Sequence, residues 1–187
     1  LSLVAESYGQ GRVQIAGDAA HLFTPTGGFG MNTGVDDAVN LAWKLAALYH
    51  GWGGPKLIES YQTERRPIAI RNLAQSYALA DIKSAISVPE GIEDIGRHGD
   101  RTRQVLGRRF MTDLAEEYKC IGIQLGAQYT NSPLIYSDGS EPPNDNPYIF
   151  IPSASPFFLA NSVVAGRLDG NGSIPSSKMS ECTKGFF

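Results

Sequence analysis

The sequence predicts an α/β fold that is mostly helical in this chain. Residues 13–16 are a short apolar run bounded by glycine, which is typical of a buried strand. A glycine-rich loop follows, and residues 32–49 then show the three- and four-residue apolar spacing of an amphipathic helix. Strand, loop and helix in this order form the repeating unit of α/β domains. With 187 residues, the chain can bury the core of one ordinary domain.

The turn after the predicted strand is the first candidate site. Gly17 and Asp18 follow the strand directly, and open α/β sheets usually bind ligands at that end of their strands. Taken alone, Asp18 is better explained as a turn or helix-capping residue, because Gly-Asp is a common dipeptide. Its surroundings must therefore decide between the two interpretations.

The second candidate site is the loop between the strand and the helix. Beyond Pro25, glycines at positions 27, 28, 30 and 34 would let a flat ligand approach the backbone closely. The unpaired N–H groups of the following helix favour a negative or electron-rich group. No Gly-Lys-Ser/Thr follows, so this is not a phosphate-binding P-loop. Pro25 could equally well serve only to shape a turn.

The helix over residues 32–49 should bury its apolar face and carry negative charge in its first turn. Asp36 and Asp37 would then oppose the helix dipole favourably. The apolar face consists of Val35, Ala38, Val39, Ala42, Leu45, Ala46 and Tyr49.

Further elements follow from the same spacing rules. We expect helices over residues 57–63, from Pro67 to about residue 84, and over residues 102–118, where Val105, Leu106 and Phe110 share one side. Residues 121–129 are strand-like, and residues 137–139 predict a turn. The polar, proline-rich residues 141–147 predict a linker.

Several conspicuous side chains are expected to be structural. His21 is more readily a packing or hydrogen-bonding residue than a catalytic base. The acidic and basic run at Glu64, Arg65 and Arg66 predicts ion pairs and helix-end contacts. The helical spacing of the tyrosines predicts core positions for Tyr49, Tyr61 and Tyr77.

Composition excludes several classes of function. A net charge of −3 gives no reason to expect nucleic acid or an anionic membrane as a partner. No apolar run approaches the ~20 residues that span a bilayer. The three histidines are far apart and the two cysteines show no metal-binding spacing, so we expect no metal site and a reducing, cytoplasmic compartment.

Residues 17–46, GDAAHLFTPTGGFGMNTGVDDAVNLAWKLA, resemble the second flavin-binding motif of the class A flavoprotein monooxygenases. These are aromatic-ring hydroxylases related to phenol hydroxylase and p-hydroxybenzoate hydroxylase. The segments YQTERRP at 61–67, GIQLGAQY at 122–129 and SPLI at 132–135 resemble the phenol-hydroxylase branch. The resemblance covers residues 11–151.

The resemblance implies an FAD site. It assigns the residue matching Asp18 to a hydrogen bond with the ribityl chain of FAD. It places the loop matching residues 25–32 against the isoalloxazine, with backbone N–H groups near the pyrimidine edge. The cofactor-binding residues implied in this chain are Gly17, Asp18, Pro25, Gly28, Gly30, Met31 and Asn32.

The resemblance also implies an activity. The family uses FAD, NAD(P)H and O2 to hydroxylate a small phenolic or aromatic substrate through a flavin C4a-hydroperoxide, and the substrate expected here is a phenol or an aromatic polyketide. The flavin carries out the difficult step, so no catalytic side chain can be named from the sequence. A homodimer is left open.

The resemblance further implies a domain map. Residues 1–140 match the C-terminal part of an FAD-binding Rossmann-like domain, 141–147 the linker, and 148–187 the start of an incomplete thioredoxin-like domain. The family's GxGxxG fingerprint has no match, so we expect a fragment of a longer protein. One alternative is a truncated, non-catalytic remnant or partner-binding protein. Another is a relative performing epoxidation or Baeyer–Villiger oxidation.

Overall fold

The computed structural model describes residues 2–136, 139 and 141–152, which are mostly helical as predicted. The strands are β1 (Leu3–Val4), β2 (Gly9–Gln10), β3 (Val13–Gln14) and β4 (His21–Leu22). Two short 3-10 helices span Gly17–Ala19 and Thr26–Gly28. The α-helices are α1 (Phe29–Tyr49), α2 (Lys56–Ser84), α3 (Arg97–Asp113), α4 (Ala115–Tyr118) and α5 (Ile121–Leu125). Among these residues, none of the helices is long and apolar enough to cross a membrane.

The strands form two small antiparallel pairs. β2 and β3 make a hairpin around Gly11, whose φ of 59° suits the tight turn, and β1 pairs with β4. The strand predicted over residues 13–16 forms only at Val13–Gln14, and its predicted burial is wrong, because Val13 is 67% exposed. The partner of β3 is β2 of the same hairpin. A short apolar run does not by itself show whether another part of the chain will bury the strand.

The second helix corrects the prediction of a break before Pro67. α2 is 29 residues long in total and continues through Pro67 without a break. An internal proline removes one backbone hydrogen bond and costs about 3 kcal/mol. Residues on both sides of it, including Arg65 and Ile68, are buried, so tertiary contacts keep the helix continuous.

The later elements also differ from the prediction. α3 begins five residues earlier than expected, and of its predicted apolar side only Leu106 is buried, while Val105 and Phe110 are 53% and 40% exposed. Residues 121–125 form α5 rather than a strand. Short apolar runs do not distinguish helix from strand. The helix packs closely on the following segment at Gly122, where an added Cβ would overlap the Asn146 carbonyl oxygen.

The predicted linker contains neither helix nor strand, and it packs on the helices. Asp145 pairs with Arg71 of α2 at 2.7 Å, and the Pro147 carbonyl accepts a hydrogen bond from the Ile123 amide at 3.1 Å. The predicted turn at 137–139 lies mostly outside the described residues, as does the greater part of the predicted thioredoxin-like segment. The domain boundaries therefore stay predictions.

Among the described residues, two small clusters of buried apolar side chains form part of the core. One contains Tyr8, Ala20, Tyr61 and Ala69, and the other contains Phe29, Leu79, Cys120 and Ile123. The prediction of core positions is confirmed for Tyr61 and wrong for Tyr49 and Tyr77, which are 87% and 53% exposed.

The predicted inner face of α1 is also wrong. Every residue of the expected apolar face is exposed. The face that packs towards α2 is instead mostly polar, and its buried members are Phe29, Thr33, Asp37, Asn40, Lys44 and Ala47. Hydrophobic spacing identifies a helix, but it does not show which neighbour covers which face.

Candidate functional site

The Gly17 turn lies against the N-terminal half of α1. Gly17 has a φ of 59° and opens the first 3-10 helix. A Cβ added to Gly34 would lie 3.2 Å from the Gly17 Cα, so the absence of side chains at both positions permits the close approach. Residues 17–19 therefore contact α1 at Gly34, which follows Gly30 by about one turn of the helix.

Asp18 is exposed on this turn. Its side chain has no hydrogen-bond or ion-pair partner among the described residues. The 3-10 helix that contains it has no side-chain cap, and the N-cap of α1 is Gly28 rather than an acidic residue. The capping interpretation of Asp18 is therefore wrong, and the carboxylate is available to accept hydrogen bonds from another molecule.

The start of α1 has no side-chain acceptor either. Gly27 and Gly28 precede it with φ angles of 82° and 65°, in the left-handed region that favours glycine. The helix has no side-chain cap hydrogen bond and no acidic residue in its first turn. Asp36 and Asp37 lie two turns further along, contrary to the prediction, because α1 begins at Phe29. Its positive end is thus left without a neutralising carboxylate of its own.

The remaining predicted site residues form an open surface at this end of α1. Pro25 and Asn32 are exposed, and Met31 is 77% exposed. A Cβ on Gly28 would meet nothing within 4 Å, and a Cβ on Gly30 would make only an ordinary 3.7 Å contact with Phe23. The packing of the described residues therefore leaves the outer surface of this loop open.

Side chains from α2 and α4 hold the loop from its other side. The Ser76 hydroxyl lies 3.0 Å from the Thr26 carbonyl oxygen. Glu117 accepts a hydrogen bond from the Gly27 amide at 3.0 Å and pairs with Lys83 at 2.7 Å. The hydrogen bond from Lys83 is the main cause that keeps the pKa of Glu117 below its ordinary value. The loop conformation is thus fixed by contacts that leave its outer surface open.

A buried carboxylate lies beneath the Gly17 turn. Asp37 is fully buried and accepts hydrogen bonds from the Gly17 amide at 3.2 Å and from Arg65 at 2.8 Å. Its Oδ2 also lies 2.6 Å from Nε2 of His21, which is 1% exposed. The structural role predicted for His21 is therefore confirmed.

The charges of this cluster are mutually stabilised. Burial alone would raise the pKa of Asp37, but the hydrogen bonds from His21 and Arg65 outweigh it and lower the pKa. Burial would lower the pKa of Arg65, whereas Tyr129 and Asp37 raise it above its ordinary value. Both groups are accordingly ionised at neutral pH.

A second buried ion pair lies further along the same helix interface. Lys44 pairs with Glu64 at 2.6 Å, and Glu64 also accepts hydrogen bonds from Asn40 and Ser132. Burial is the main cause that lowers the pKa of Lys44. The predicted ion pairs of the Glu64–Arg66 run are confirmed, whereas the predicted helix-end contacts are wrong, because the run lies in the middle of α2 and Arg66 donates to the Ala5 carbonyl at 3.0 Å.

The sequence contained a signal for this polar layer. Asp37, Asn40 and Lys44 recur at three- and four-residue spacing along α1, opposite the charged run of α2. Among the described residues, no group of histidine, cysteine and acidic side chains could hold a metal ion, and Cys120 is buried and free. Cys182 lies outside the described residues.

Comparison with known proteins gives consistent matches. Residues 2–76 match the model of the FAD binding domain family. The chain is 37% identical over 157 residues to the FAD-dependent monooxygenase opdD of Penicillium oxalicum, covering 81% of this chain and 30% of that protein. It is 38% identical over 141 residues to a Streptomyces rimosus protein, the 12-dehydrotetracycline 5-monooxygenase/anhydrotetracycline 6-monooxygenase, covering 73% and 28%.

The matching solved structures include that of RebC-10x in its native and K252c-bound forms. The TM-score is 0.72 at 37% sequence identity, and the match covers 81% of this chain and 29% of that one. The chain thus spans less than a third of the length of each of these proteins.

Proposed function

We propose that this chain, which is similar to FAD-dependent monooxygenases over 81% of its length, forms part of an FAD site with its Gly17 turn and its loop over residues 25–32. One observation carries this proposal. Asp18 is an exposed carboxylate with no side-chain partner among the described residues, and its turn packs on Gly34 of α1, a helix whose N-terminus has no side-chain cap. The turn offers a hydrogen-bond acceptor, and the start of the same helix offers backbone donors.

The residues present fit the groups of a flavin. Asp18 would accept hydrogen bonds from the hydroxyl groups of the ribityl chain. The first N–H groups of α1, up to that of Met31, would donate to the electron-rich pyrimidine edge of the ring, and Asn32 follows at the same end of the helix. Gly28 and Gly30, with Pro25, would let the ring lie close to the backbone, because neither glycine carries a side chain and Gly28 borders open space.

The reaction proposed is the hydroxylation of a phenolic or aromatic polyketide substrate with O2, using NAD(P)H as reductant. When bound, the flavin would supply the electron transfer and oxygen activation, for which protein side chains have no equivalent. The residues of this chain would bind and orient the cofactor. The names of the two monooxygenases above support this class of reaction, and the matches do not favour a non-catalytic remnant.

Replacing Asp18 tests the site. In the full-length protein, Asp18→Ala should weaken FAD binding about tenfold or more, the loss expected for a hydrogen bond to a charged acceptor. Quenching of flavin fluorescence on titration measures the dissociation constant. Glu59→Ala is the matched control, because Glu59 is an exposed carboxylate near the start of α2 that has no side-chain partner in the described part of the chain. Equal affinities for the two variants would show that the role assigned to Asp18 is wrong.

A further inference from the structure

We propose that Asp37 is a positioning residue that holds the Gly17 turn, and with it Asp18, in place for the flavin. This inference rests on the proposed FAD site. Asp37 would act through the backbone N–H of Gly17, which it contacts at 3.2 Å, and would not touch the cofactor itself.

Asp37 joins three parts of the chain through one buried carboxylate. Its Oδ2 contacts the Gly17 amide and lies 2.6 Å from the His21 ring of β4. Its Oδ1 accepts a hydrogen bond from Arg65 of α2 at 2.8 Å. Arg65 is itself anchored by the Tyr129 hydroxyl at 3.1 Å. Both carboxylate oxygens are engaged from different directions, so the group has a single defined orientation.

Apart from Asp37, the Gly17 turn is held by its own hydrogen bond from the Ala20 amide to the Gly17 carbonyl at 2.8 Å and by its packing on α1. Gly17 adopts a left-handed conformation, and its Cα packs on the backbone of Gly34 without any side chain between them. The described hydrogen bonds of its amide lead only to Asp37. Asp18 is the next residue and has no partner of its own, so its position follows that of Gly17. A displacement of a few tenths of an ångström at a positioning contact is enough to weaken a bound geometry.

The second buried ion pair provides an internal control. Lys44 and Glu64 lie in the same α1–α2 interface and are equally buried, at 0% and 3% side-chain exposure. Their partners are Asn40 and Ser132, and no residue of the 17–32 segment is among them. Loss of this pair should weaken the fold without reaching the Gly17 turn.

The test compares Asp37→Asn with Lys44→Met in the full-length protein. Asparagine keeps the size of Asp37 but loses its charge and one acceptor oxygen, so it cannot serve Gly17, His21 and Arg65 together. We expect Asp37→Asn to weaken FAD binding about tenfold after correction for the folded fraction. We also expect the Gly17 amide of the flavin-free protein to exchange its hydrogen about tenfold faster. Lys44→Met should leave both quantities unchanged.

A second variant covers the case in which Asp37→Asn does not fold. Arg65→Lys keeps the positive charge beside Asp37 but removes the planar guanidinium geometry. It should weaken FAD binding and speed hydrogen exchange at the Gly17 amide, each by about threefold. Unchanged Gly17 exchange in the folded variants, or equal loss of FAD affinity in Asp37→Asn and Lys44→Met, would overturn the positioning role.

The two measurements, FAD affinity and hydrogen exchange at the Gly17 amide, distinguish a failure of this inference from a failure of the proposed function on which it rests. If the unaltered protein binds no FAD, the proposed function fails, and with it the role of Asp37 towards the flavin. Gly17 exchange would still decide whether Asp37 holds the turn. If the unaltered protein binds FAD and Asp37→Asn binds it equally well, only the positioning role fails.

Discussion

A surface helix usually buries an apolar face and exposes a polar one, and α1 does the reverse. The face against α2 buries charged and polar side chains such as Asp37, Asn40 and Lys44. The opposite face exposes Val39 at 61% and Leu45 at 47%. The difference shows that buried ion pairs and hydrogen bonds hold the centre of the α1–α2 interface, beside apolar packing such as that of the cluster containing Phe29 and Leu79. Such an interface depends on each partner being present.

The largest expected effect comes from breaking the polar face at its centre. Arg65→Met would leave the Asp37 carboxylate buried without its main cation, and the free energy of unfolding should fall by about 3–5 kcal/mol. Urea denaturation followed by circular dichroism measures the change. A loss below about 1 kcal/mol would show that this pair does not hold the interface.

An intermediate effect is expected from pH, with a sign set by Asp37. The folded-state pKa of Asp37 is lowered, so its stabilising contribution is fully present above its unfolded pKa of about 3.9. That contribution is lost as the pH falls through the lower, folded-state pKa. Urea unfolding between neutral and acidic pH should therefore show stability falling with acid more steeply in the unaltered chain than in Asp37→Asn. Parallel slopes would contradict the lowered pKa.

The smallest effect is expected on the exposed face. Val39→Ser removes an apolar side chain that makes little buried contact, so the free energy of unfolding should change by less than about 0.5 kcal/mol. The same denaturation assay measures it. A loss above about 1.5 kcal/mol would mean that this face is covered in the protein, and the contrast between the two faces would then disappear.

The sequence predicted the features that depend on local chemistry. Gly27 and Gly28 indicated an irregular loop before a helix, and both adopt left-handed angles. The charged run at Glu64–Arg66 predicted ion pairs, which form with Lys44 and Asp37. These inferences needed only the residue types and their neighbours in the chain.

The features that depend on distant partners were not predictable in the same way. Nothing in the spacing of Val35 and Val39 shows that α2 packs on the other side of α1. The continuation of α2 through Pro67 and the helix at residues 121–125 likewise depend on contacts from elsewhere. In the candidate site, Asp18 stood out from its sequence context, whereas the contact of Asp37 with Gly17 joins residues 20 positions apart.

The most direct test of the central claim is hydrogen exchange of the full-length protein with and without FAD. Bound FAD should slow exchange at amides 17–19 and 28–32, because the two segments that carry these amides form the proposed cofactor site. The amides of α3, on another part of the chain, should not change. Slowed exchange confined to segments outside residues 17–32 would contradict the proposed site.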